Sequence, residues 1–525
     1  MSKLSPLKKT VHHSTTDSAV EYVVDLANRL DLTPLVQETS LTQLPKLSEN
    51  FGARISLKRE DQQNVFSFKV RGAYAKLLQL TEAERKQGVI CASAGNHAQG
   101  VAVAAKHLGI NATIVMPIIT PDIKVNAVQR LGARVELLGE NFDEACEYAR
   151  NVCKQQNLSF IHPYDDLEVI AGQGTIGLEL IQQMPDTDIV FLPVGGGGLA
   201  SGVAATIKSI KPDCKIIGVE AEESASMSLA FKKGRPSELK QVGRFAEGVA
   251  VRQVGNNTYQ LCSHLLDDVI TVNNDEICAA VQDIYEETRL IPEPSGALSL
   301  AGVKRFLNQK ARSQTSNESM NVVAVLSGAN VNFKRLRYIA ERADLGEQKE
   351  AIFAVTIPEE PGSFHQFCKV VGQRNITEFN YRYSDDKKAQ VFVGIALQDG
   401  EDEKTSLVQD LFTADYPCMD LSNNEVAKSH VRYMVGGRSQ LVDNEKLYRF
   451  SFPEQTGALL SFLEKMSADW SISLFHYRNH GSDFGRVLVG MRVPQEDELM
   501  FTRFLQETGL SFIDETANPV NSLFL

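Results

Sequence analysis

Long apolar runs are missing from this 525-residue chain: none approaches the ~20 residues that a membrane-spanning helix needs, so a soluble protein is expected. Clustered cysteines are missing too. Cys91, Cys146, Cys153, Cys214, Cys262, Cys278, Cys368 and Cys418 are scattered with no CxxC or other zinc-type spacing, so neither a disulfide framework nor a metal site is expected. Free thiols imply a reducing compartment, the cytoplasm. There is no surplus of positive charge either: 54 Lys and Arg stand against 66 Asp and Glu, a net of −12, which argues against wrapping a nucleic acid or an anionic membrane. A small-molecule ligand remains. The N-terminal stretch has Lys3, Lys8 and Lys9 and no acid before Asp17, but without Arg or an apolar core it does not read as a targeting peptide. Residues 1–20 are therefore read as a disordered tail.

What is present is an ordinary globular composition, 43% hydrophobic and 23% charged, long enough for about three to four domain-sized units. Residues 351–525 hold 15 of the 25 Phe and a net charge of −9, which marks a separate domain after a linker, or an exit helix, at 341–350. Within 21–340, short runs such as Val89-Ile90-Cys91, Ile114-Val115-Met116, Ile189-Val190-Phe191, Ile216-Ile217-Gly218-Val219 and Val322-Val323-Ala324-Val325 alternate with helical periods. That alternation predicts an α/β domain of parallel sheets covered by helices, with ligands beyond the carboxyl ends of the strands.

The tail repeats itself at a spacing of 95 residues. Pro358-Glu359 and Gly362 fall on Pro453-Glu454 and Gly457, Phe364 on Leu459, and Phe367 on Phe462. After one inserted residue, Phe379-Asn380-Tyr381-Arg382 falls on Phe475-His476-Tyr477-Arg478. Each copy, 351–425 and 446–525, reads as a βαββαβ unit.

Four segments could carry chemistry. Ser67-Phe68-Lys69-Val70-Arg71-Gly72-Ala73 opens a helix whose dipole would favour the neutral amine of Lys69, although a solvated lysine is the commoner case. Ser93-Ala94-Gly95-Asn96-His97 follows a strand and precedes a helix, offering backbone amides to an anion, or simply an Asn cap on a Gly turn. Gly195-Gly196-Gly197-Gly198-Leu199 also joins strand to helix; four consecutive glycines cost chain entropy and read as a backbone cradle for phosphate. The same loop satisfies a relaxed dinucleotide fingerprint, with Gly195, Gly197 and Ala200 in register and Glu220 on the next strand. A dehydrogenase so defined assigns no role to Lys69 or to the Gly-Asn loop. Leu326-Ser327-Gly328-Ala329-Asn330 places a hydroxyl at a strand end.

Together, in this order, these segments resemble the pyridoxal-phosphate enzymes of the tryptophan-synthase-β type (fold type II), and among them the biosynthetic threonine ammonia-lyases, across residues 30–340. Lys58-Arg59-Glu60-Asp61 through Lys69 and Arg71-Gly72-Ala73 carry the likeness with the glycine loop; Asn64, where relatives often have Pro, departs from it. The resemblance implies that Lys69 carries the cofactor covalently with Phe68 beside it, and that Asn96 meets the ring hydroxyl. It further implies that Gly195, Gly196, Gly197, Gly198 and Leu199 hold the phosphate, Ser327 faces the ring nitrogen, and Ser93, Ala94, Gly95, Asn96 and His97 bind the substrate carboxylate. Ala94 stands where related serine racemases have a Ser, which disfavours racemisation. The doubled tail resembles paired ACT-like regulatory domains. By that likeness the chain would dehydrate and deaminate L-threonine in isoleucine biosynthesis, as a homotetramer inhibited by isoleucine and in some members opposed by valine. Effector contacts would be sought at Phe364, Phe379, Tyr381, Arg382, Leu459, Phe475, Tyr477 and Arg478. A serine-preferring dehydratase, or an amino-acid sensor with an inactive catalytic half, is the alternative.

Overall fold

The β-branched runs form strands that sort into two sheets in the first of two compact units, Met1–Val331; the second unit is Asn332–Leu525. The computed structural model describes residues 15–312, 320–358, 363–372, 374, 376–381, 387–433, 445–453, 462, 465–466, 470–478 and 484–524. Six strands make the larger sheet, in the order Leu41–Gln43, Arg54–Arg59, Asn321–Leu326, Ile189–Pro193, Lys215–Ala221 and Asp268–Val272; all pairs are parallel except the first. Val322 through Leu326 are fully buried, as a central strand covered by helices on both faces must be. The smaller sheet is wholly parallel, in the order Arg134–Leu137, Ala112–Met116, Val89–Ala92 and Ser159–Phe160. The unit is therefore α/β, as the alternating pattern predicts, with its strands divided between two sheets and one antiparallel strand at an edge.

Two helices, Leu167–Gln183 and Gly198–Ile210, pack against each other at glycines. A Cβ on Gly202 would stand 2.2 Å from the Ile170 carbonyl oxygen, so the backbones approach closely only because the side chain is absent. The helix Thr15–Arg29 lies on this pair, burying Val23 and Leu26. Residues 15–20, expected in a disordered tail, are thus helical, because Ala19 and Val20 continue the apolar face that docks. Among the described residues no helix is long and apolar enough to cross a membrane.

A buried ion cluster ties four elements of this unit together. Arg71, 1% exposed, donates to both carboxylate oxygens of Glu60 at 2.8 Å and to Glu179; Lys58, fully buried in its strand, donates to Glu179 at 2.6 Å and to the Thr39 carbonyl. Two cations face two carboxylates. Burial by itself would lift the Glu60 carboxyl, yet the Arg71 guanidinium holds it below its ordinary range.

In the second unit the repeat is visible strand by strand. Glu350–Pro358 and Glu445–Pro453 are equivalent inner strands of two separate antiparallel sheets with the same order: Ile376–Tyr381, Lys388–Ala396, Glu350–Pro358, Cys418–Asp420, and Ser471–Arg478, Phe484–Arg492, Glu445–Pro453, Ser511–Asp514. The same irregularity recurs, between Ile376 and Glu378 and between Ile472 and Leu474. Phe353, Phe367 and Leu407 fill the first core; Phe450, Phe462, Trp470 and Phe504 fill the second. Glu359, Gly362, Arg382, Glu454, Gly457 and Leu459 lie outside the described residues. The segment 341–350 holds the end of the helix Leu336–Gly346 and the first residue of a strand.

The two copies share a third core, in which Ile352 and Phe392 of one meet Leu488, Val520 and Phe524 of the other. The Asn424 amide donates to Asn518 Oδ1 across this junction at 3.2 Å. Glu425 accepts two bonds of 2.9 Å from Arg342 and a further one from Arg486. Burial alone would raise its carboxyl, but these guanidiniums hold it well below the usual range. One carboxylate thereby joins the helix Leu336–Gly346 to both copies.

Candidate active site

Lys69 is the first residue of the helix Lys69–Gln79; it is half-buried, and its amine donates to the Pro163 carbonyl at 2.8 Å. Burial pushes its pKa down to about 8, with the Glu293 carboxylate pulling the other way. The sequence suggests the helix dipole as the cause; in the folded chain, loss of water around the amine acts in the same direction. Phe68 lies beside it, the ammonium nitrogen 5.2 Å from the ring centre. The preceding residues run against the end of the central strand: Ser67 bridges Gly328, the Phe68 amide donates to the Ser327 carbonyl at 3.2 Å, and the Ala329 amide to the Phe66 carbonyl at 2.9 Å. The first and fourth segments therefore form one wall.

The glycine loop faces the same place from the larger sheet. Its carbonyls are drawn away by the protein, with Thr258 Oγ1 donating to the Gly196 oxygen at 2.6 Å and Ser201 Oγ to the Gly197 oxygen at 2.8 Å. Within the described residues no acceptor meets the N–H groups of Gly195 to Leu199, which leaves them for an anion. Tyr164, next to the residue that holds Lys69, roofs the loop: a Cβ on Gly196 would lie 2.2 Å from its ring, and one on Gly198 2.9 Å from its Cα. Gly197 has φ +95°, a conformation that favours glycine. A cradle that any side chain would fill, open amides and a buried amine all fit pyridoxal phosphate. Gly196→Ala must displace either Tyr164 or the loop, an overpacking strain of about 1–3 kcal/mol; the expected result is at least a tenfold weaker cofactor Kd in a fluorescence titration, with the circular dichroism spectrum retained.

Asn96 opens the helix Asn96–Leu108, so its amide and that of His97 have no acceptor within the helix. Its side chain donates from Nδ2 to Glu293 Oε1 at 2.7 Å and accepts from Asn330 at 2.8 Å. Ser295 Oγ donates to the same Glu293 oxygen at 2.8 Å, and Ser327 Oγ, buried, donates to the Ser295 carbonyl at 3.2 Å. Ser93 Oγ accepts from the Gly95 amide at 3.2 Å, tightening the loop, and Ala94 is half-buried. The His97 ring is committed to the Ile161 carbonyl at 2.9 Å and is pushed down to about 3 by burial and by Lys69. Its backbone amide, not its imidazole, is what the loop offers. All four segments converge.

The sequence reading missed Glu293 and Tyr164. Glu293 sits between Pro292 and Pro294 ahead of a buried helix, a signal of a fixed carboxylate that could have been noticed; nothing local distinguishes Tyr164. The dinucleotide alternative loses its acid, because Glu220 is fully buried and accepts from the Met227 and Ser228 amides at 2.7 and 2.8 Å. That carboxylate secures a helix start and is closed to a ribose.

The parallel two-lobed unit with a buried lysine facing a glycine cradle defines a pyridoxal-phosphate-dependent enzyme, and residues 32–328 match the family model for pyridoxal-phosphate dependent enzymes. Residues 341–431 and 436–525 each match the C-terminal regulatory domain of threonine dehydratase. The chain is 52% identical over 489 residues to the biosynthetic L-threonine dehydratase of Escherichia coli, covering 93% of this chain and 94% of that one. It is 49% identical over 514 residues to that of Pasteurella multocida, covering 98% and 99%. The structure of processed threonine deaminase isoform 2 from Solanum lycopersicum superposes with a TM-score of 0.60 at 44% identity, over 63% of this chain and 94% of that one. Maize serine racemase follows at 0.57 and 30%, over 61% and 95%. The chain belongs to the threonine dehydratase family, also called threonine ammonia-lyases, with its paired regulatory domains.

Proposed function

We propose that the chain converts L-threonine to 2-oxobutanoate and ammonia, the first committed step of isoleucine biosynthesis, in the cytoplasm and as a homotetramer. Isoleucine inhibits it through the C-terminal copies, with valine as an opposing effector. The observation that carries the reading is the buried Lys69 amine set among the glycine cradle, Asn96 and Glu293, in a chain that continues into a doubled βαββαβ unit. Family membership supports threonine as substrate and an amino-acid effector.

Bound pyridoxal phosphate supplies a conjugated electron sink for the amino acid's α-carbon. The chain's residues do the rest. Amides at the start of the helix Asn96–Leu108 hold the substrate carboxylate, fixing the α-carbon toward Lys69. Lys69 would hold the bound cofactor, and its amine, neutral in part near pH 7, takes the α-proton. The β-hydroxyl leaves as water with the proton that Lys69 took, and hydrolysis of the resulting enamine consumes one water, giving 2-oxobutanoate and freeing ammonia. Ser327, a buried neutral hydroxyl, would meet the ring nitrogen of the bound cofactor without placing a negative charge there. Closure of the glycine loop by Tyr164 keeps solvent from the phosphate side.

The test is 2-oxo acid release from L-threonine and, separately, from L-serine at equal concentration, with isoleucine titrated in. Threonine turnover suppressed by isoleucine supports both halves of the proposal. Turnover indifferent to isoleucine removes the feedback assignment, serine preference replaces the substrate, and absence of turnover with cofactor bound leaves a sensor.

A further inference from the structure

Asn330 ends the motif that follows the central strand, and its side chain closes a hydrogen-bond chain of defined direction. Its Nδ2 donates to the Val65 carbonyl at 2.8 Å and to Asn96 Oδ1 at 2.8 Å, so both hydrogens of that nitrogen are used. Asn96 Nδ2 in turn donates to Glu293 Oε1 at 2.7 Å, and Ser295 Oγ donates to the same oxygen. At one end stands a backbone carbonyl, which only accepts; at the other stands a carboxylate, which when ionised only accepts.

The two ends leave one arrangement for the amides between them. With Asn96 turned over, its oxygen would face the Glu293 carboxylate and its nitrogen would face the Asn330 nitrogen, replacing two bonds by two repulsions. In the observed arrangement one hydrogen of Asn96 Nδ2 goes to Glu293 and the second stays available. Four segments remote in sequence meet here: Val65 ahead of Lys69, Asn96 at its helix start, Glu293 ahead of Pro294, and Asn330 after the central strand.

We infer that Asn330 is a positioning residue that fixes the side-chain amide of Asn96 with its free N–H directed at the oxygen of the cofactor ring. The inference rests on the proposal that Lys69 and Asn96 hold pyridoxal phosphate in this pocket. Asn330 acts through Asn96 and touches neither substrate nor cofactor.

The experiment is a double-mutant cycle on the full chain. Apoprotein is titrated with pyridoxal phosphate, following both Kd and the absorption maximum of the bound form, for the parent, Asn330→Asp, Asn96→Ala and the double variant. Asn330→Asp keeps the shape but places an acceptor against the Val65 carbonyl and Asn96 Oδ1. The expected result is a rise in Kd of about tenfold or more with a displaced absorption maximum, and no further change when Asn330→Asp is added to Asn96→Ala. Asn330→Ala, which removes the donor without adding charge, repeats the cycle if the aspartate variant does not fold. Equal effects of Asn330 substitution in both backgrounds, or no effect on Kd and spectrum, would overturn the inference while leaving the cofactor assignment intact. A parent chain that binds no pyridoxal phosphate through Lys69 defeats the assignment itself, and this inference with it.

Discussion

The Lys69→Ala chain is expected to release 2-oxobutanoate from L-threonine at a rate lower by about a thousandfold or more, since it loses both covalent attachment and a proton acceptor. It should also lack the parent's visible absorption band. The physical basis is the state of the amine. Burial lowers its pKa to about 8 while the Glu293 carboxylate opposes the shift; about a tenth of it is then neutral at pH 7, against roughly one part in three thousand for an ordinary lysine. Because the folded value is depressed, the neutral nucleophile accumulates as pH rises through about 8, well below the usual lysine range. Capture of pyridoxal phosphate by the parent apoprotein should therefore quicken with pH, reach half its limit near pH 8 and level off above about 9 in stopped-flow absorbance. A rate that keeps climbing towards pH 10, or turnover surviving in Lys69→Ala, would remove Lys69 from this role.

Arg71→Ala is expected to lower the stability of the first unit by about 3–5 kcal/mol, the usual effect of leaving a buried charge without its partner. Glu60 is fully buried and takes two bonds from this guanidinium; Glu179 takes two more and is 17% exposed, so most of the loss falls on Glu60. Lys58 is committed to Glu179 and the Thr39 carbonyl and cannot replace it. Arg71→Lys should recover little, since one ammonium cannot span two carboxylates as a planar fork does. Urea unfolding of the holo chain measures the change, and the double variant Glu60→Gln with Arg71→Met should regain much of it, because no buried charge is then left alone. Equal stability of Arg71→Ala and the parent would mean that water reaches the cluster.

Much of this molecule was readable before its coordinates. Val322 to Val325, buried on both sides, announces a central parallel strand by composition alone, and the 95-residue offset between Pro358 and Pro453 is the offset between the strands Glu350–Pro358 and Glu445–Pro453. Lys69, Asn96, the glycine loop and Ser327 lie in short contiguous motifs, each with an ordinary structural reading by itself, and it is their order in one chain that singles them out. Tyr164 was not readable, because a roof over a loop 32 residues away is a contact, and the tyrosine has no local mark. The fate of Glu220 was equally hidden: its position after a strand suits a ribose, and only the Met227 and Ser228 amides show it committed elsewhere.

The sequence by itself determined the elements, the repeat and the chemical inventory, since periodicity, glycine runs and charge are local properties that water and the backbone read over a few residues. Tertiary structure decided the state of each group. The pKa of Lys69 depends on how much water surrounding segments exclude, and the direction of the Asn96 amide depends on Val65, Asn330 and Glu293 meeting from distant positions. Desolvation and hydrogen-bond direction are properties of an enclosed volume, and a linear order of residues does not contain one.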